Sequence, residues 1–476
     1  MTRMKKQTIP DGVISNPVPS HALATRAGPF LFMSGQLGLS AASGRPFSGY
    51  REFGGEPPYP ALGLLAPNSW EEAFVTQTHA IYDRIGALQE SQSAAPRDII
   101  FHSVYLRDMR NFPTLARTRS RLFKDGLAPP VTTSQVSGLP MDDAVVYFDP
   151  IGFVPTEGFR LETLRSTYLE QGALSNYQFG TKVGPLMFFA GVVAAVPERG
   201  QIIHGSRDLP ADVPMIAATG SPAARSFTDP VRAQTAFIYD LFGRFLREQG
   251  ADFEHLVKLN VYLRDVRDTG TAEDVARELA PRALPAVALY GVESLATRWF
   301  LVEVEGIAVD PAGSWPTERL ERLGEGADAI IPHGRNALAV RAGPLVFTST
   351  ITAYHAEKDR IIDGPGELPE AGRQAVEAAV LSQPHLRRST SATGVASQAW
   401  LIYHRLLRIA AHFGGTRDSV LKTTVYLDSI SDFAAVDAIA QTFFRHDPPA
   451  LTVLQPSGLS MPGARVQIDA VILGAG

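Results

Sequence analysis

A chain of 476 residues, 45% hydrophobic and 20% charged, has the composition of a globular protein and the length of about three domains. A net charge of -5 argues against broad nucleic-acid binding, and the lack of cysteine excludes disulfides, thiolate nucleophiles and Cys-ligated metals. The basic start Met1-Thr2-Arg3-Met4-Lys5-Lys6 is not followed by a signal-peptide apolar run, and the most apolar stretch, 185–196, is too short for a membrane span. A cytoplasmic protein with no membrane partner is expected.

The elements read in chain order fall into a pattern that occurs three times. Each copy opens with apolar segments flanking a Gly-Pro marker, Ala27-Gly28-Pro29, Val183-Gly184-Pro185 and Ala342-Gly343-Pro344, and reads as a strand hairpin. A polar, Pro/Gly-rich insertion follows, roughly 43–68, 198–229 and 357–394. A long helix comes next, with apolar stripes Phe74, Ile81, Ile85, Leu88, then Ile238, Phe242, Phe245, then Ile402, Leu406, Ile409, read as core. It carries Gln77-Thr78, Gln234-Thr235 and Gln398-Ala399. The strand Val104-Tyr105-Leu106-Arg107-Asp108 returns as Val261-Tyr262-Leu263-Arg264-Asp265 and as Val425-Tyr426-Leu427-Asp428. A shorter helix, such as 433–444, leads to a closing strand at 144–154, 299–309 and 465–473. In the second of these, Val302 and Val304 alternate with Glu303 and Glu305.

The motifs shift by about 160 residues, a period suited to a compact domain and too long for a solenoid. Three domains are expected, at 1–160, 161–320 and 321–476. The order β-β-α-β-α-β predicts an α+β fold with helices on one face of each sheet. The bare faces are expected to meet around a pseudo-threefold axis, sheets inside and helices outside, as an intramolecular pseudo-trimer open to higher assembly.

These residues resemble the Rid/YjgF reactive-intermediate deaminase family over 20–155, 172–310 and 333–475. The resemblance rests on Ser34-Gly35-Gln36, the Val-Tyr-Leu strands, Pro129-Pro130, Gly138-Leu139-Pro140, the strand Val302–Val309, Asp432-Phe433, Pro448-Pro449 and Gly458-Leu459. It implies tandem Rid-like (chorismate-mutase-like) domains, equivalent to a fused homotrimer with a small-molecule pocket at each interface. It also implies an Arg that grips a substrate carboxylate. Aligning Pro129, Pro285 and Pro449 puts Val131, Val287 and Leu451 at that position, so standard imine hydrolysis is expected to be weak. Arg298 and Arg465 are weighed as replacements, against solvated strand ends.

The acid of the family's last strand, which positions or activates water, aligns with Asp149, Glu305 and Asp469, and these are the candidate catalytic groups. His21 aligns with a pocket tyrosine, as do Tyr177 and Asn336; its imidazole is a further acid/base candidate, or simply a hydrogen-bonded residue at a loop–strand junction. Ser34, Gly35, Gln36, Tyr177, Asn336 and Thr133, which replaces the family's cysteine, are expected to contact substrate. Glu305 is favoured, with Asp149 next. No metal motif, Walker sequence or GxGxxG follows a strand, so neither metal nor cofactor is expected. The leading expectation is a hydrolase, deaminase, lyase or isomerase using a carboxylate-held water or acid/base group on an unstable imine, enamine or carbonyl compound. The alternatives are a non-catalytic metabolite- or partner-binding pseudo-trimer and a chorismatase-like hydrolase.

Overall fold

The computed structural model describes residues 4–53, 69–123, 128–167, 177–196, 200–214, 221–383, 386 and 392–475; parts of the three expected polar insertions lie outside them. Three sheets share one strand order. The first runs Lys6–Ile9, Ala24–Ala27, Phe30–Met33, Val146–Phe153, Ile99–Leu106, Val131–Gln135. The second runs Leu161–Leu164, Gly180–Val183, Leu186–Val193, Val302–Val309, Leu256–Leu263, Ala286–Gly291, and then accepts the short strand Gly458–Leu459. The third repeats the order from Thr317–Leu320 to Ala450–Leu454.

The expected α+β architecture is therefore present, with two strands per repeat beyond the β-β-α-β-α-β reading. One is the short polar edge strand that precedes each hairpin. The other follows the short helix, parallel to the Val-Tyr-Leu strand. Because Thr317–Leu320 pairs with the third hairpin, the sheets change over between Val309 and Thr317, ahead of the expected 320/321 boundary. The insertions also hold helix that was not expected: the second long helix begins at Pro222, where the Ser221 hydroxyl caps Ala224 N–H, and the third insertion contains Glu370–Ser382.

The repeated motifs have local causes. Gly28, Gly184 and Gly343 turn each hairpin at φ of 57°, 57° and 56°, a left-handed conformation that costs other residues energy. The helix glutamine ties three segments together in each copy. Gln77, for instance, donates to Phe47 and Asp143 carbonyls and accepts from Val145 N–H; Gln234 and Gln398 do the same in their repeats. Asp108 and Asp265 cap the turn after the Val-Tyr-Leu strand.

Strand alternation sets the layers. Val104 and Leu106 face the first repeat's helices, and Val302 and Val304 those of the second. Phe32 and Phe101, Phe188 and Val257, Phe347 and Leu421 come from the three sheets and join one inner apolar cluster. The helices lie outside and the sheets inside.

Candidate functional site

The three interfaces between repeats are built from equivalent segments but closed differently. At the junction of the third and first repeats, the Ser34 hydroxyl accepts from Leu451 N–H at 2.7 Å and donates to Ala22 C=O at 2.6 Å. Gly35 N–H then donates to Leu451 C=O at 2.9 Å. At the junction of the second and third, Ser349 bonds Val287 N–H and Ala337 C=O at 2.7 and 2.6 Å, and Thr350 N–H reaches Val287 C=O. The first-to-second junction has Ala190 and Gly191 there, and among the described residues the corresponding bonds are not made. Its backbone contact is also displaced by one residue: Gln178 N–H donates to Ala128 C=O, whereas Ala22 and Ala337 reach Pro449 and Pro285.

Polar groups converge on this differently built interface. Glu303, on the second repeat's closing strand opposite Tyr262, is 6% exposed, and its Oε2 has no hydrogen-bond partner. A Cβ on Gly191 would collide with its Oε1 and come close to the Thr132 hydroxyl, so glycine is what admits the carboxyl here. Burial, and secondarily Glu305, pushes Glu303 up to about 8, which leaves a neutral acid at pH 7. Beside it, partly buried Tyr177 packs under Arg119, whose guanidinium carbon lies 5.4 Å from the ring centroid. Arg119 is 1% exposed and its Nε and Nη1 have no partner. Among the described residues, the groups acting on it are Tyr82, Tyr177 and His102, none of them an acid. Burial and the Arg119 charge push His102 down to about 3, so it stays neutral and bonds Tyr82 at 3.1 Å. Thr133 Oγ1 is likewise buried without a partner. A buried guanidinium and a buried carboxyl, both incompletely satisfied and both acting on the Tyr177 hydroxyl, form a site able to hold an anion and donate a proton.

The other interfaces lack this set. Tyr147 and Gln467 stand where the second repeat has Glu303, opposite Tyr105 and Tyr426. Gln467 is bound to Ser460 and to Leu289 C=O. Near the second-to-third junction an apolar cavity of about 70 Å³ is lined by Val287 and Leu289, with Glu273, Arg335 and Asn336.

The expected catalytic acids lie elsewhere. Asp149, Glu305 and Asp469 meet at the axis in a cavity of about 100 Å³, where Lys422 pairs with Asp149 and Lys258 with Asp469. The lining of this cavity does not include Tyr177, His21 or Ser34-Gly35-Gln36. The reason is position along the strand: Glu303 and Glu305 face the same way, but two residues carry the side chain from interface to axis. His21 is buried against Asp437 of the third repeat, 3.1 Å from Nε2. Gln36 bonds its own turn at Ser34 C=O, and Asn336 bonds His333 C=O. Arg298 stacks on Trp299 and Arg465 pairs with Asp432, so neither replaces the missing arginine. Arg119 and Glu303 are not among the candidate site residues read from the sequence. Among the described residues no cluster of His, Cys, Asp or Glu is placed to hold a metal, and no helix is long and apolar enough to cross a membrane.

A family model described as Endoribonuclease L-PSP matches residues 214–310 and 370–473, in the second and third repeats. A mouse 2-iminobutanoate/2-iminopropanoate deaminase is 27% identical over 144 residues, covering 30% of this chain and 88% of the relative. The second and third repeats thus match the Rid/YjgF (L-PSP) family. Among solved structures, RidA from an Antarctic Psychrobacter is 19% identical over 33% of this chain and 99% of its own, with a TM-score of 0.24. A chorismatase is 16% identical over 64% of this chain and 80% of its own, with a TM-score of 0.38. The family model leaves the first repeat unmatched, yet that repeat's sheet has the same strand order as the others.

Proposed function

We propose that this Rid-like chain is a fused trimer that hydrolyses a small anionic imine, or the enamine tautomer of one, at its first-to-second interface. The observation that carries the reading is that buried, incompletely satisfied Arg119 and Glu303 both act on the Tyr177 hydroxyl, a combination present among the described residues at one interface of three. Arg119 would hold the substrate's anionic group in the role that Val131 cannot fill. Glu303, neutral near pH 7, would protonate the imine nitrogen and, as the carboxylate so formed, take a proton from the water that attacks the carbon. Returning that proton to the amino group of the tetrahedral adduct, while the adduct's hydroxyl proton passes back to the Glu303 carboxylate, expels ammonia, leaves the carbonyl product and restores the neutral acid. Imine and water thus become ketone and ammonia with no redox partner. The mouse relative's name, a 2-imino acid deaminase, supports this class of substrate.

The test is ammonia release, with product mass, from 2-imino acids generated in situ. The wild type should exceed the uncatalysed rate, Arg119→Met should raise KM, and Glu303→Gln should lower kcat by about 10²-fold. Glu305→Gln should leave turnover within a few-fold, since it lies at the axis. Equal loss in Glu305→Gln and none in Glu303→Gln would return the chemistry to the axial acids.

A further inference from the structure

The axial cavity has a broken threefold pattern. At two of its three equivalent positions a lysine ammonium bridges an acid and a backbone carbonyl of the neighbouring hairpin. Lys422 binds Asp149 and Met33 C=O, the latter at 2.6 Å; Lys258 binds Asp469 and Thr348 C=O, the latter at 2.8 Å. At the third position the acid is Glu305 and the hairpin residue is Phe189, but Phe101 stands where the lysine would be. Glu305 is 3% exposed and lines the cavity; its Oε1 accepts from Asn260 at 2.5 Å and from Ser103 at 3.4 Å, and its Oε2 has no hydrogen-bond partner. Three carboxyl groups thus face two ammonium groups, and the space is large enough for a water-sized guest. Phe101, Phe188 and Phe189 supply aromatic surface beside the unmatched acid.

We infer that this cavity binds one small monovalent cation, of ammonium or potassium size, in the place of the third lysine ammonium. Glu305 and the polar groups of Ser103 and Asn260 would hold it, and a phenylalanine ring would face it. A divalent ion fits less well, because Lys258 and Lys422 already neutralise the two other acids. The inference does not depend on the interface chemistry proposed above.

The test is thermal unfolding at about pH 8.5 and constant ionic strength, exchanging tetramethylammonium chloride for NH4Cl, KCl or NaCl. A saturable rise in Tm of a few degrees is expected with NH4Cl or KCl, absent in Glu305→Gln. Phe101→Lys should raise Tm without added cation and abolish the response. A crystal grown in RbCl should show an anomalous peak in the cavity against the Glu305 carboxylate. If Phe101→Lys fails to fold, Glu305→Gln and the rubidium crystal decide. Identical Tm in all salts with no rubidium peak would overturn the inference, as would an undiminished response in Glu305→Gln.

Discussion

Glu303→Gln separates the interface acid from its surroundings in both stability and rate. The carboxyl moves from 4.5 to about 8 on folding because it is buried, with Glu305 adding repulsion. At about 1.4 kcal/mol per pH unit, that displacement is worth roughly 5 kcal/mol between its two protonation states. The folded value is the higher one, so its contribution to stability is full below 4.5 and is lost as pH rises through about 8. Glutamine resembles the protonated acid and does not titrate. The variant should therefore match the wild type near pH 5 and exceed it at pH 9 by on the order of 3–5 kcal/mol. For a cooperative chain of this length that is a Tm difference of about 3–5 °C, read by calorimetry at both pH values. Wild-type turnover should also decline above about pH 8, where the proton donor ionises. A Tm difference that does not change with pH would show that Glu303 is not buried in an apolar, acid-raising setting, and the proton-donor role would fall with it.

Lys422→Met should destabilise by about 2–4 kcal/mol, because it leaves Asp149, whose side chain is 14% exposed, without its cation, and adding Asp149→Asn should recover much of the loss; urea unfolding measures both. Ser349→Ala removes a hydroxyl that serves two backbone groups at the second-to-third interface, so a cost of about 1–3 kcal/mol with ammonia release unchanged is expected. Gly191→Ala should displace Glu303, lowering kcat more than it raises KM and leaving the Ser34 and Ser349 junctions intact in a crystal structure.

The fold was legible because its repeated residues do structural work that tolerates little change. The helix glutamines, the hairpin glycines and the Val-Tyr-Leu strand each recur at a fixed place, and the apolar stripe of Phe74, Ile81, Ile85 and Leu88 is fully buried, as its spacing predicts. The strand Val131–Gln135 was missed because its threonines and serine carry little apolar signal, although all but Gln135 are buried between sheet neighbours.

The site was legible only in part. Val302-Glu303-Val304-Glu305 offers two acids on one strand face, and a period of two cannot tell which reaches the interface and which the axis. That depends on register with Tyr262 and Asn260, which is a tertiary fact. Arg119 did leave a trace: it sits on the buried side of Phe112–Leu122 with Leu115, where the equivalent helices carry Ala276 and Ala440. An arginine on an apolar helical stripe is a signal worth reading, and Arg117 and Arg121 nearby hid it. His21 misled because its junction places it against Asp437 of another repeat, a contact no local pattern contains.

The most direct test of the central claim is a crystal structure of the protein with a stable 2-oxo acid, the product class of the proposed reaction. The ligand should lie at the first-to-second interface, its carboxylate bound to Arg119 Nε and Nη1 and its carbonyl oxygen facing Glu303. A ligand bound instead beside Arg335 and Asn336 at the second-to-third interface, with Arg119 and Glu303 unchanged, would contradict the account.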